Sequence, residues 1–235
     1  MATFVLVHGG GHGGWCWQPC AHALRTRGHD VFTPTLTGFG ERCHLPAPDF
    51  ETFVTDVVHV VDFEDLHDVV LVGHSMGGVI TPRVAEAIPD RIATVVWLAA
   101  CVNNDGESLL DTIPQSPWVA RAVTVGDDGT AHTDVDLIID ATIHDGTDEQ
   151  KAFVRARHRP YPPHALVEPG RLGAFLALGI PTAYVFTTLD RTVEPHVQAA
   201  LAARLPDCRT ASVAGGHDCM LTQPDATADA LIAVH

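Results

Sequence analysis

Four short runs that stay apolar from end to end, TFVLVH (3–8), DVVLVGH (68–74), IATVVWLAA (92–100) and PTAYVFTT (181–188), constrain this chain more than anything else in it. A strand with one face in water alternates apolar and polar side chains. A β-branched run without that alternation is covered on both faces, as in a parallel sheet clad by helices. DVFTPTL (30–36) and TASVAG (210–215) are weaker runs of the same kind, and amphipathic, helix-like segments stand between the runs at 15–26, 51–64, 77–88, 195–204 and 222–234. Strand and helix in alternation predict an α/β fold with a doubly wound, mostly parallel sheet. At 235 residues and 46% hydrophobic, the chain is large enough to bury its core as one domain.

One interval breaks the alternation. From about Asn103 to Leu178 the text is irregular and polar, with GDDGTAHTD and RHRPYPPHALVEP inside it. Loops of this length are uncommon in compact domains and often serve as lids. The interval 103–178 is therefore expected to be a small cap inserted after the fourth strong strand. There is no internal repeat and no low-complexity tract.

Charge narrows the set of partners. The formal net charge is −15, and Lys151 is the single lysine. Such a surface repels phosphate backbones and anionic lipid, so neither nucleic acid nor a membrane is an expected partner. Six cysteines, Cys16, Cys20, Cys43, Cys101, Cys208 and Cys219, could pair, but a chain of this size needs no staples, and reduced thiols are expected. The spacing of Cys16 and Cys20 is neither that of a redox pair nor that of a zinc knuckle. The opening MATFVLVHGG lacks a basic region and a signal-length apolar stretch, and nothing approaches a membrane helix, so a cytoplasmic location is expected.

The segment Gly73-His74-Ser75-Met76-Gly77 fits G-x-S-x-G where a strand pattern gives way to a helix pattern. A sharp turn there strains the serine backbone and brings main chain close, which glycines at the flanks permit. Ser75 is then exposed at the sheet edge, at the positive end of the next helix. A serine hydroxyl needs a base and a group to orient that base. In such folds the chain order is serine, acid, histidine. Of the fifteen histidines, His217 in VAGGHDCML follows the last strand run and a glycine pair. Asp190 in VFTTLDRTV stands just past the 181–188 run, as a catalytic acid or as a turn or capping aspartate. Asp105 is the alternative acid.

An oxyanion needs donors. The backbone N–H of Met76 follows the nucleophile, and the loop His8-Gly9-Gly10-Gly11-His12-Gly13-Gly14-Trp15 offers a second, at Gly10. The glycines at 9, 11 and 14 also fit the spacing of a dinucleotide loop. That reading requires a strand ending in an acid, whereas Asp30 opens one.

Together HGGGHGGWCW, GHSMGG, the late LD pair and GGHDCML resemble the α/β-hydrolase superfamily, and more narrowly the branch of plant hydroxynitrile lyases, salicylate methyl esterase, polyneuridine aldehyde esterase and bacterial esterases. The resemblance covers most of the chain outside 103–178. It implies a Ser75, Asp190, His217 triad, an oxyanion hole from the Gly10 and Met76 amides, no metal and no organic cofactor. Cyanide-releasing members of that branch carry a lysine after the histidine and a threonine in the oxyanion segment, where this chain has Asp218 and Gly9. The expected activity is thus serine-dependent hydrolysis of small to medium uncharged carboxylic esters. A carbon–carbon lyase and a non-catalytic small-molecule receptor are the alternatives. His12 and Trp118 are candidates to border the substrate pocket, with His12 equally readable as a structural hydrogen-bonder, and Trp15 and Trp118 as packing residues. The sequence is compatible with a homodimer and does not decide it.

Overall fold

The computed structural model describes residues 1–112, 123–127 and 129–235. In chain order the first half runs β1 (Thr3–Val7), α1 (Gln18–Thr26), β2 (Asp30–Phe32), α2 (Glu51–Phe63), β3 (Val69–His74), α3 (Gly77–Ala87) and β4 (Ile92–Leu98). The interval after β4 carries α4 (Leu109–Thr112), a hairpin of β5 (Val123–Val125) and β6 (Ala131–Thr133), then α5 (Val135–Thr142), α6 (Asp148–Arg157), α7 (His164–Val167) and α8 (Leu172–Leu176). The chain returns through β7 (Thr182–Thr187), α9 (Pro195–Ala202), β8 (Arg209–Val213), α10 (Cys219–Thr222) and α11 (Pro224–Val234). The six strands outside the interval form one parallel sheet in the order β2-β1-β3-β4-β7-β8. All six runs predicted as strands lie in it.

Side-chain alternation explains why the inner strands look uniformly apolar. Val5, Val7, Leu71, Val95 and Trp97 point into one layer with residues of α2 and α3, while Phe4, Leu6, Val72, Val96 and Leu98 point into another with residues of α1 and α11. Both faces are covered, so neither tolerates polar residues. Each fully buried side chain of this kind contributes about 1.5–3 kcal/mol. The helix after β3 contains Pro82, which has no N–H to give the carbonyl of Gly78 one turn earlier. The buried indole of Trp97 replaces that donor, 3.0 Å from Gly78 O.

β2 is shorter than the run that announced it. Pro34 has no N–H for a ladder, and the chain beyond Phe32 is held by other bonds: the Leu36 N–H donates to His8 Nε2 (3.1 Å), and Thr35 Oγ1 accepts from Gly14 N–H (2.8 Å). These ties draw 33–36 against the glycine-rich loop after β1. Two helices in the 103–178 interval carry explicit N-terminal signals. Asp134 accepts from Asp136 N–H and Leu137 N–H at the start of α5, and Thr147 and Gln150 form a reciprocal capping box on α6. The six cysteines are free thiols. Among the described residues no helix is long and apolar enough to cross a membrane.

The order of strands reverses beside β1: β2 lies on one side of it and β3 on the other. Open α/β sheets bind ligands at the carboxyl ends of strands at such a switch point. The loops after β1 and β3 meet there, and those after β7 and β8 extend the same edge.

Candidate active site

Ser75 sits between β3 and α3 with φ at 53°, a left-handed conformation that costs an L-residue roughly 1–2 kcal/mol. Main-chain bonds hold it: its N–H donates to Leu98 O (3.3 Å), and its carbonyl accepts from Gly78 N–H (3.0 Å) and Cys101 N–H (3.3 Å). The turn is too tight for side chains at its flanks. A Cβ on Gly73 would lie 2.6 Å from Gly77 O, and one on Gly77 would lie 2.8 Å from Val7 O. Ser75 itself is half-buried and borders a cleft of about 600 Å³.

His217 follows β8 and borders the same cleft, only 2% exposed. Its Nδ1 lies 2.7 Å from Asp190 Oδ2. A carboxylate accepts, so Nδ1 carries the proton and Nε2 is the basic nitrogen. Asp190 is 4% exposed, and its two oxygens divide the work. Oδ1 accepts the Thr192 and Val193 amides at 2.7 and 2.9 Å, while Oδ2 also accepts the Thr187 hydroxyl (2.8 Å) and the Gln198 amide (3.2 Å). The turn-former and the histidine partner weighed as alternatives are therefore one residue. Asp105, the other candidate acid, is exposed and accepts the Gly173 N–H at 2.9 Å. Among the described residues Ser75 Oγ and the His217 ring make no direct hydrogen bond; such a link often tightens only as substrate arrives.

Gly10 and Met76 both border the cleft. Among the described residues neither of their amides donates to another group of the chain. His8 holds the loop from behind, with Nδ1–H donating to Gly9 O (2.8 Å) and Nε2 accepting from Leu36 N–H. Burial lowers His8 to about 3, so this single tautomer persists.

His12 borders the cleft and is also a structural hydrogen-bonder. Its Nδ1 lies 2.7 Å from Gly10 O and its Nε2 lies 3.0 Å from Asp218 Oδ2. Both partners are acceptors, so both ring nitrogens carry protons and the pair is a buried imidazolium–carboxylate. Burial opposes the charge on His12, but the Asp218 carboxylate, with the Gly10 carbonyl, outweighs it and raises the histidine. Burial likewise opposes ionisation of Asp218, yet His12 holds it below the ordinary carboxylate range. Trp15 stacks on His12, with ring centroids 5.2 Å apart, in a packing role. Trp118 lies outside the described residues.

Other contributors carried no signal that was read from the sequence. His74 donates from Nε2 to His217 O (3.1 Å), its charge suppressed by burial and then by His217. The end of α5 grips the loops that carry Asp190 and His217. His144 Nε2 donates to Leu189 O (2.9 Å), Asp145 Oδ2 accepts the Gly216 N–H (2.8 Å) and the Thr222 hydroxyl (3.1 Å), and Thr142 O accepts the Asp218 N–H (2.9 Å). Leu109, Ile138, Tyr161 and Leu166, all from 103–178, line the cleft. Among the described residues no group of three or more His, Cys, Asp or Glu could hold a metal ion.

In sequence and fold the chain is similar to known esterases and hydrolases. The carbendazim hydrolyzing esterase of Nocardioides sp. (strain SG-4G) is 48% identical over 118 residues, 49% of this chain and 49% of that protein. The matched region thus spans about half the length of that relative. Methylesterase 18 of Arabidopsis thaliana is 24% identical over 251 residues, covering 94% of this chain and 92% of that one. An extracellular alpha/beta-hydrolase from a Paenibacillus species, described as sharing structural and functional homology with tobacco salicylic acid binding protein 2, superposes with a TM-score of 0.85 at 26% identity, over 100% of this chain and 99% of the other. The profile of the alpha/beta hydrolase family matches residues 4–230.

Proposed function

The chain belongs to the alpha/beta hydrolase family, and from that premise we propose that it is a serine-dependent hydrolase of small to medium uncharged carboxylic esters, with Ser75, His217 and Asp190 as its triad. The observation that carries the reading is the 2.7 Å bond from His217 to the buried Asp190, in a cleft bordered by a serine in a strained strand-to-helix turn. His217 Nε2 takes the proton from Ser75 Oγ as it attacks the ester carbonyl. Charge developing on the carbonyl oxygen rests on the Gly10 and Met76 amides, aided by the N-terminus of α3. The alcohol leaves with the proton from His217, and water repeats the sequence to release the acid.

The described part of 103–178 acts as a cap over the site, and its apolar side chains, including Leu109, Ile138 and Leu166, suit an uncharged acyl group. The net charge of −15 argues against nucleic acid or anionic membrane as partners, and the free thiols support a cytoplasmic location. Where cyanide release would need a cation, this chain has the ionised Asp218 engaged with His12, which favours hydrolysis over cyanohydrin cleavage.

The test pairs a panel of nitrophenyl esters with a fluorophosphonate probe. Wild type is expected to hydrolyse short-chain esters and to carry the probe on Ser75 by mass spectrometry, and Ser75→Ala to do neither. No turnover and no label on wild type would end the reading; cyanide release from a cyanohydrin without ester turnover would replace it with a lyase.

A further inference from the structure

We propose that the hydroxyl of Tyr161 is a third donor to the acyl carbonyl oxygen, beside the amides of Gly10 and Met76; this rests on the ester-hydrolase reading above. Tyr161 is 5% exposed and borders the cleft. Among the described residues its hydroxyl makes no hydrogen bond to any group of the chain. The oxygen is not one of the sealed-off polar atoms of the interior; it is open to the cleft. The other tyrosine, Tyr184, donates to Ala100 O at 2.8 Å. Tyr161 instead leaves its hydroxyl uncommitted, among the described residues, on the wall of the cleft.

That wall is beside the oxyanion loop. A Cβ built on Gly10 would stand 3.0 Å from the Tyr161 oxygen, and one on Gly9 would stand 3.0 Å from Ser75 Cβ. The hydroxyl, the loop and the nucleophile are thus consecutive neighbours along one wall. The phenol is also held rigidly. Its ring stacks on Phe39 with centroids 5.3 Å apart, and its main chain exchanges two hydrogen bonds with Ala131, at 2.7 and 3.0 Å, between Pro160 and Pro162. A donor fixed before the reaction needs no reorganisation as negative charge appears. Burial raises the phenol, so it stays protonated and able to donate.

The test is steady-state hydrolysis of a nitrophenyl ester by wild type and Tyr161→Phe, with thermal unfolding to verify that the variant is folded. The expected result is a fall in kcat of about 100- to 1,000-fold, in line with loss of one oxyanion donor, with KM within twofold and the fluorophosphonate labelling of Ser75 slowed in parallel. An unchanged kcat, or a rise in KM alone, overturns the proposal and leaves Tyr161 a packing or ground-state contact. Should Tyr161→Phe not fold, a fluorinated, more acidic tyrosine at position 161 keeps the shape. It should bring the alkaline fall of kcat to lower pH, and an unmoved limb overturns the proposal. A wild type that neither hydrolyses esters nor takes the probe overturns the hydrolase reading itself, a result distinct from active wild type with an equally active variant.

Discussion

Asp190 Oδ2 receives three donors and Oδ1 two, all in a buried setting. Asp190→Asn keeps the shape but puts an amide where one of those oxygens stood. If the amide faces His217, the ring must flip its proton to Nε2 and lose its basic nitrogen toward Ser75. A loss of kcat of about 10³–10⁴-fold is expected, measured with a nitrophenyl ester, while the fold persists by circular dichroism. Ser75 poses the opposite balance of function and stability. Its φ of 53° suits glycine, so Ser75→Gly is expected to abolish turnover yet unfold in denaturant no earlier than wild type. Earlier unfolding would mean that the turn carries no strain. These residues were legible in the sequence because local rules overlap on them: a serine between obligatory small residues, and an acid and a histidine each just past a strand. The place of Tyr161 beside the Gly10 loop was not legible, since it depends on a packing partner, Phe39, more than a hundred positions away.

At the scale of elements, α3 is completed by a strand. The Gly78 carbonyl freed by Pro82 is served by Trp97 of β4, so Trp97→Phe should cost about 1–3 kcal/mol for the unmet acceptor, in addition to a cavity term. Pro82→Ala restores a backbone N–H one turn along. The penalty of Trp97→Phe should therefore shrink when both changes are combined, a coupling that a double-mutant cycle in urea measures. The loops of Asp190 and His217 depend similarly on α5. Asp145→Ala removes the acceptor for Gly216 N–H and Thr222, and is expected to lower kcat and to destabilise by about 1–3 kcal/mol, read from ester turnover and the denaturation midpoint. The helices of the 103–178 interval were only half legible. Thr147 to Gln150 spells a capping box and Asp134 an N-cap, but both sit in polar text whose apolar face is short, so composition pointed to loop. β2 erred the other way, because Pro34 and the pull of His8 and Gly14 end a strand that β-branched residues would have continued.

The whole molecule carries its histidines in opposed states, and this sets its response to acid. Burial lowers His8 to about 3, His158 to about 4 and His74 well below its ordinary value, so all three are neutral in the fold and protonate once unfolded. The unfolded chain then binds more protons than the native one below about pH 6.5, and each such group removes about 1.4 kcal/mol per pH unit until its native value is reached. His12 runs the other way: raised in the fold, its contribution is full below about pH 6.5 and is lost as pH rises through its native value. Below about pH 6.5 His12 holds its proton in both states and adds no opposing slope, so stability by urea titration should fall steeply between pH 6.5 and 4, before carboxylates alone would account for it. A flat profile in that window would contradict the buried, neutral rings. The parallel sheet was readable from six apolar runs, and the candidates Ser75, Asp190 and His217 from the motifs just past three of them; the pocket was not, because much of its lining comes from an interval without periodicity. That interval also divides the machinery. Ser75 and the Gly10 and Met76 amides precede it, Asp190 and His217 follow it, and a polypeptide cut within it would part them into two fragments, neither of which is expected to turn over an ester. Colour released from a chromogenic ester would then announce only their reunion, which makes this architecture a natural starting point for a split-enzyme reporter of association.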